Sequence, residues 1–178
     1  MNIKQTLVAL LSLLSLAATA RDDGMIVWTE KNFPLAGMKV SLAAAVSDES
    51  GTQIPEQRLQ EIHRAVEDAL AAHQLLAQQP GPTPAHGLLE AKISVTSFRT
   101  GDALGRWIGF GAGAAKCTLR ARLLDSETSE VVAEIIDTKV VDTGGFYTLG
   151  VDSKFHRELA TEVADAMVKL LVGEKAKE

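Results

Sequence analysis

Apolar and polar positions change period along the chain, and each period predicts a different element. Between Pro55 and Gln79, the residues Leu59, Ile62, Val66, Ala69, Leu70 and Leu76 recur at helical spacing. They fall on one face of a helix, with Glu61, Arg64, Glu67 and Asp68 turned to solvent. Pro55 suits the helix start, where its missing N–H has no bond to lose. The run Pro80-Gly81-Pro82-Thr83-Pro84 ends the helix by Gln79. The period then drops to two. Leu89, Ala91, Ile93 and Val95 alternate with Glu90, Lys92, Ser94 and Thr96, and Cys117, Leu119, Ala121 and Leu123 alternate with Lys116, Thr118, Arg120 and Arg122. Both runs are half-buried strands. Val131 to Val141 is strand-like with a less regular alternation, and the polar turn Asp125 to Glu130 joins it to the strand before, so the three make an antiparallel meander.

A second helix follows, capped by Asp152 or Ser153 and buried along Phe155, Leu159, Val163, Met167 and Leu170. Upstream, Met25 to Lys31 and Gly37 to Val46 are short β-prone stretches separated by Asn32-Phe33-Pro34, the second being the better strand. The predicted order is β-α-β-β-β-α. Helices and strands with one apolar face each fit an α/β (α+β) fold, a two-layer sandwich whose two helices cover one face of a mixed sheet.

The first residues follow a different logic. Met1 to Gln5 carry Lys4, Thr6 to Leu16 are mostly apolar, and Ala17 to Ala20 are small, which is the order of a secretory signal peptide. Ala18 and Ala20 supply the small-x-small pattern of a cleavage site, so the mature chain is expected to begin at Arg21. The run Leu7 to Leu16 is shorter than the roughly 20 residues that span a bilayer, and no cysteine stands at the cleavage point to take a lipid. Residues 1–20 are therefore a signal peptide, and 21–178 a single domain with its core at about 37–172. The expected address is the periplasm, with release beyond the cell left open.

Composition narrows the partners. The chain has 18 basic and 23 acidic side chains, a net charge of −5, and cleavage removes Lys4. An acidic protein without a basic face is not expected to bind nucleic acid. Cys117 is the sole cysteine, so no internal disulfide forms, and its apolar strand position makes it a buried structural thiol.

Catalytic patterns are absent. Gly109-Phe110-Gly111-Ala112-Gly113 lacks the Gly-x-Gly-x-x-Gly spacing of a dinucleotide loop and runs into a strand rather than a helix. His63, His73, His86 and His156 show neither i, i+4 spacing nor a His-Glu-x-x-His motif, so no metal is assigned. No Gly-x-Ser-x-Gly elbow is present. Glu61, Asp68, Asp102, Asp125, Asp137 and Asp142 mostly fall on helix faces or in turns and read as solvated charge. The chain is read as a non-enzyme without a cofactor; a cell-wall hydrolase, the weakest alternative, would need paired catalytic groups.

Two glycine-aromatic loops are the informative feature. Arg99 to Gly113 holds five glycines around Arg106, Trp107, Ile108 and Phe110, and Thr143 to Val151 holds three around Phe146 and Tyr147. In a meander these loops lie at the same end of the sheet. A right-handed crossover makes the Gly37–Val46 strand parallel to the first meander strand, so both helices also begin there, and their N-termini favour anions. Arg99, Arg106, Trp107, Phe110, Phe146 and Tyr147 form the candidate binding site for another envelope component or ligand. Two alternatives stand beside it: the aromatics fold inward to plug the sandwich, or the Trp107–Phe110 loop dips into a bilayer as a peripheral membrane contact.

The stretch from Arg106 to Lys116, running into Leu119 to Asp125 and Val131-Val132-Ala133-Glu134, resembles a bacterial envelope family, domain-of-unknown-function 4410. The likeness covers roughly Met38 to Leu171. It implies an exported or lipid-anchored protein with no assigned activity, and it brings no catalytic residues. This chain departs from that pattern in lacking an acylated cysteine, and in having Thr128-Ser129 where the family's hairpin turn has Thr-Gly. N-terminal sequencing of the exported protein is expected to start at Arg21; a product that retains Lys4 counts against cleavage.

Overall fold

The computed structural model describes residues 19–20, 24–77, 87–100, 114–141 and 155–174. The elements in chain order are β1 (Thr19–Ala20), β2 (Ile26–Thr29), β3 (Lys39–Leu42), β4 (Ser47–Asp48), α1 (Glu56–Ala72), β5 (Leu88–Arg99), β6 (Ala115–Asp125), β7 (Val131–Val141) and α2 (Phe155–Val172). The strands form one mixed sheet in the order β1-β2-β7-β6-β5-β3, with β4 also paired to β5. Antiparallel β5, β6 and β7 are the predicted meander. The parallel pairing of β3 with β5 is the predicted crossover. Short strands extend this plan: β2 lies antiparallel to β7, and β4 lies parallel to β5. Strand β1 falls within the predicted signal peptide, so cleavage before Arg21 would leave β2 as the outer strand on that side.

One face of the sheet carries Leu89, Ala91, Ile93 and Val95 of β5, Cys117, Leu119, Ala121 and Leu123 of β6, and Ala133 and Ile135 of β7. Ile62, Val66 and Leu70 of α1 and Leu159, Val163, Met167 and Leu171 of α2 join the same core. Removing these surfaces from water is the main force holding the two layers together. Cys117 is wholly buried, and burial pushes its thiol up to about 12 because the thiolate has no water there.

The helices depart from the predicted boundaries for local reasons. Helix α1 stops at Ala72, not Gln79, because Gln74 turns left-handed at φ 55°. The Gln74 N–H then donates to the Ala71 carbonyl, and the Leu75 N–H to that of Leu70. This double bond pattern closes a helix C-terminus and seats Leu75 in the core. Leu76, expected on the helix, bridges Val40 of β3 instead. Helix α2 buries a wider arc than the predicted stripe, adding His156, Ala160, Ala164, Ala166, Val168 and Leu171, because it packs against both α1 and the sheet.

A β-bulge interrupts the alternation of β5. Val95 pairs with Leu119 and Ser97 with Thr118, leaving Thr96 as the extra residue. The phase reverses there, so Phe98 turns into the core while Arg99 turns to the other face. At the β6–β7 turn, the Asp125 carboxylate accepts the Glu127 N–H at 3.1 Å and the Thr128 hydroxyl at 3.3 Å, and the Ser129 N–H donates to the Asp125 carbonyl at 2.8 Å. Ser129 sits at φ 59°, left-handed backbone that favours glycine. Ser129→Gly is expected to raise stability by about 0.5–1 kcal/mol in urea unfolding, since relief of the left-handed conformation outweighs the entropy glycine gains in the unfolded chain; a loss of stability counts against strain at this turn.

Candidate functional site

The stems of the two glycine-aromatic loops meet on neighbouring strands. Arg99 pairs with Lys116, Lys116 with Val140, and Ala115 with Val141. The Phe98 ring stacks on Phe155 of α2 with centroids 6.5 Å apart and planes at 17°. Before α1, the Thr52 hydroxyl donates to the Phe98 carbonyl at 3.4 Å. Both helices therefore begin at the end of the sheet from which both loops leave. Of the six predicted site residues, Arg99 is described: it is exposed, closes β5 rather than opening the loop, and donates from Nε to the Ala114 carbonyl at 2.9 Å. Arg106, Trp107, Phe110, Phe146 and Tyr147 lie outside the described residues, as do Asp152, Ser153 and Ala18.

Beneath this end the structure places a polar group that the sequence reading did not assign. His156, in the first turn of α2, is fully buried. Its Nε2 lies 2.6 Å from Glu61 Oε2 of α1, and its Nδ1 lies 3.3 Å from Arg58 Nη1, also of α1. Arg58 can only donate, so Nδ1 accepts and the neutral Nε2–H tautomer satisfies both contacts. Protonating Nδ1 would set a second N–H against the guanidinium. Burial lowers the affinity of His156 for a proton, the Glu61 hydrogen bond raises it, and the nearby Arg58 charge lowers it, with a net downward shift. The His156 hydrogen bond likewise holds Glu61 below the usual carboxylate range. Glu61, expected in solvent, is thus half-buried and paired, and Asp137, grouped with solvated carboxylates, is buried at 4% exposure on β7. The signal for His156 was present: it sits four residues before Ala160, on the arc that α2 buries.

A separate open cleft of about 240 Å³ runs between residues 44–46 and α1, with His63, Arg64 and Glu67 on its wall. The His63 Nε2 contacts the Ala43 carbonyl at 2.9 Å, which makes that nitrogen the donor. The cleft wall offers, among the described residues, no hydroxyl or thiol for His63 to activate. Among the described residues, no group of three or more His, Cys, Asp or Glu converges as a metal set. No described helix is long and apolar enough to cross a membrane.

A family model described as "Domain of unknown function (DUF4410)" matches residues 29–145. The chain belongs to this family. The match begins before Met38, at the last residue of β2, and covers β3 through β7, stopping short of α2. No curated protein matches the chain. Among solved structures, the PelC dodecamer from Paraburkholderia phytofirmans is similar at 11% identity, over 80% of this chain and 95% of that one, with a TM-score of 0.51. A Xanthomonas campestris protein of the domain-of-unknown-function 330 family is similar at 18% identity, over 88% and 95%, with a TM-score of 0.50. At such identities the likeness is one of fold. Neither the family nor these structures indicate an enzyme.

Acid should unfold this DUF4410 member through the His156 group. Folded His156 binds its proton less readily than unfolded histidine, near pH 6.5, so its contribution is complete above that value and lost as pH falls below it. Glu61, also shifted down, adds a loss of the same sign below its ordinary value of about 4.5. Thermal melts are expected to drop from pH 7 to about pH 5, and His156→Gln to flatten that part of the profile; an unchanged slope in the variant assigns the effect elsewhere.

Proposed function

We propose that this DUF4410 protein is an exported, non-enzymatic envelope protein, released into the periplasm by cleavage after Ala20, that binds another envelope component through its glycine-aromatic end. One observation supports the reading above the others. Arg99, Ala115, Lys116 and Val141 stand side by side in the sheet, so the loops bearing Trp107, Phe110, Phe146 and Tyr147 are anchored on one rigid platform. The Phe98–Phe155 stack ties that platform to α2. Loops held by such a scaffold are a common way to build a binding surface, and aromatic side chains supply large contact area at small entropic cost.

In-cell crosslinking from position 107 is expected to capture a specific envelope component. Trp107→Ala with Phe146→Ala should abolish capture while circular dichroism stays native. Unfolding of the double variant would instead make the aromatics a plug, and flotation of the mature chain with liposomes would make the loop a bilayer contact; either result overturns the proposal.

A further inference from the structure

Two buried residues of different chemistry hold the first turn of α2. Phe155, at 1% exposure, stacks on Phe98 of β5. His156 has no exposure and stands edge-to-face with Phe155, their centroids 6.0 Å apart and their planes at 89°. The same imidazole joins α2 to α1 through Glu61 and Arg58. Phe155 thus touches both the sheet and the imidazole, so a ring that leaves at His156 takes the aromatic contact with it.

The surroundings decide what a second proton on His156 does. Helix α1 presents Arg58 and Glu61, and Gln57 steadies Glu61 with a donated bond of 3.1 Å. Within α2 the neighbouring Arg157 and Glu158 are exposed. Strand β5 contributes the uncharged Phe98, and Lys139 of β7 is held by Glu158 at 3.0 Å and Glu162 at 2.9 Å. Among the described residues, the imidazole therefore contacts one carboxylate, Glu61, and one cation, Arg58. The neutral ring already makes the Glu61 hydrogen bond, so protonation gains only added attraction there. Against that gain, the new N–H at Nδ1 faces Arg58 Nη1 at 3.3 Å, donor against donor. Arg58 is half-buried and can swing out, but the N–H is then left inside without an acceptor.

The easier escape is for the turn to leave. The first N–H groups of a helix have no intrahelical acceptors, so unwinding one turn at that end breaks few hydrogen bonds. Further along, Leu159, Val163, Met167 and Leu171 stay in the core, and Lys139 keeps its hold on Glu162. We propose that His156 is an acid-operated latch: when its ring takes a second proton, the first turn of α2 lifts off and parts Phe155 from Phe98, while the rest of the helix remains packed. The released ring titrates near its ordinary value of 6.5, and the seated ring binds a proton less readily, so opening is driven as pH falls below 6.5. The loop from Thr143 to Val151 leads by sequence into this turn. The latch goes beyond the binding reading by making the end of the sheet where both helices begin responsive to pH.

The test is amide hydrogen exchange of the exported chain at pH 7 and pH 5, corrected for intrinsic rates and repeated in urea too dilute to unfold it. Leu159 and Ala160, whose amides bond back to the first turn, are expected to lose about tenfold protection in acid, as release of a ring with pKa near 6.5 gives over this interval. Their exchange should not respond to urea, because a one-turn opening exposes little surface, whereas the slower exchange of Val168 and Leu171 should rise with it. His156→Gln, neutral at both pH values, should abolish the acid effect. Arg58→Gln, which offers Nδ1–H an acceptor, should cut it to about threefold or less, and decides the matter if His156→Gln does not fold. Urea dependence at Leu159 and Ala160 as steep as at Val168 and Leu171, or a full acid effect in Arg58→Gln, overturns the proposal. The exchange is read without a partner, so failure of the latch and failure of the loop-end reading are told apart: loss of crosslinking from position 107 touches only the latter.

Discussion

The apolar face of β5, β6 and β7 must be kept from water, and nearly every other feature follows from how two helices meet that demand. Leu89, Ala91, Ile93, Val95, Leu119, Ala121, Leu123 and Ile135 form a continuous surface in which most members have no exposure at all. Neither helix covers it alone. Helix α2 lies over β6 and β7 and also packs along α1, so α2 is buried on two sides, Ala160 and Ala164 among its buried residues. The bulge at Thr96 belongs to the same constraint. It turns Phe98 inward to stack on Phe155, and the same half-turn sends Arg99 to the opposite face.

Charge is handled differently in the two layers. Between the helices, His156, Glu61 and Arg58 are arranged so that a neutral imidazole fills both of its hydrogen bonds. A buried group of this kind tolerates one protonation state, because the low local dielectric makes an unpaired N–H expensive. On the open face the charges are exposed and many. Lys139 belongs to neither group: burial opposes its charge, yet hydrogen bonds to Glu162 and Glu158 of α2 outweigh that and raise its proton affinity. It thereby clips the edge of β7 to α2.

The likeness to the PelC and DUF330 structures is one of fold, and membership of DUF4410 leaves the use of that fold to be read from this chain's own residues. Here the loop stems matter more than any single side chain. Pairing of Arg99 with Lys116 and of Ala115 with Val141 makes two distant segments neighbours, as the meander expectation required.

Periodicity alone determined the long elements. The 3.6-residue and two-residue patterns carry the direction in which each side chain faces, and that direction survives any tertiary arrangement that buries the apolar side. The meander, the parallel crossover, the buried Cys117 and the placement of both helices on one face were legible for that reason. What the sequence could not express depends on contacts between segments far apart. The β-prone Met25–Lys31 stretch finds its partner, as β2, on β7, and the short β4 on β5, while past α1 Leu75 enters the core and Leu76 bridges Val40. The phase change at Thr96 and the meeting of His156 with Glu61, 95 residues away, were likewise decided only when the layers closed. Local pattern specifies faces; partners across the fold are chosen by packing, where a hydrogen bond or a buried ring is weighed against every alternative neighbour.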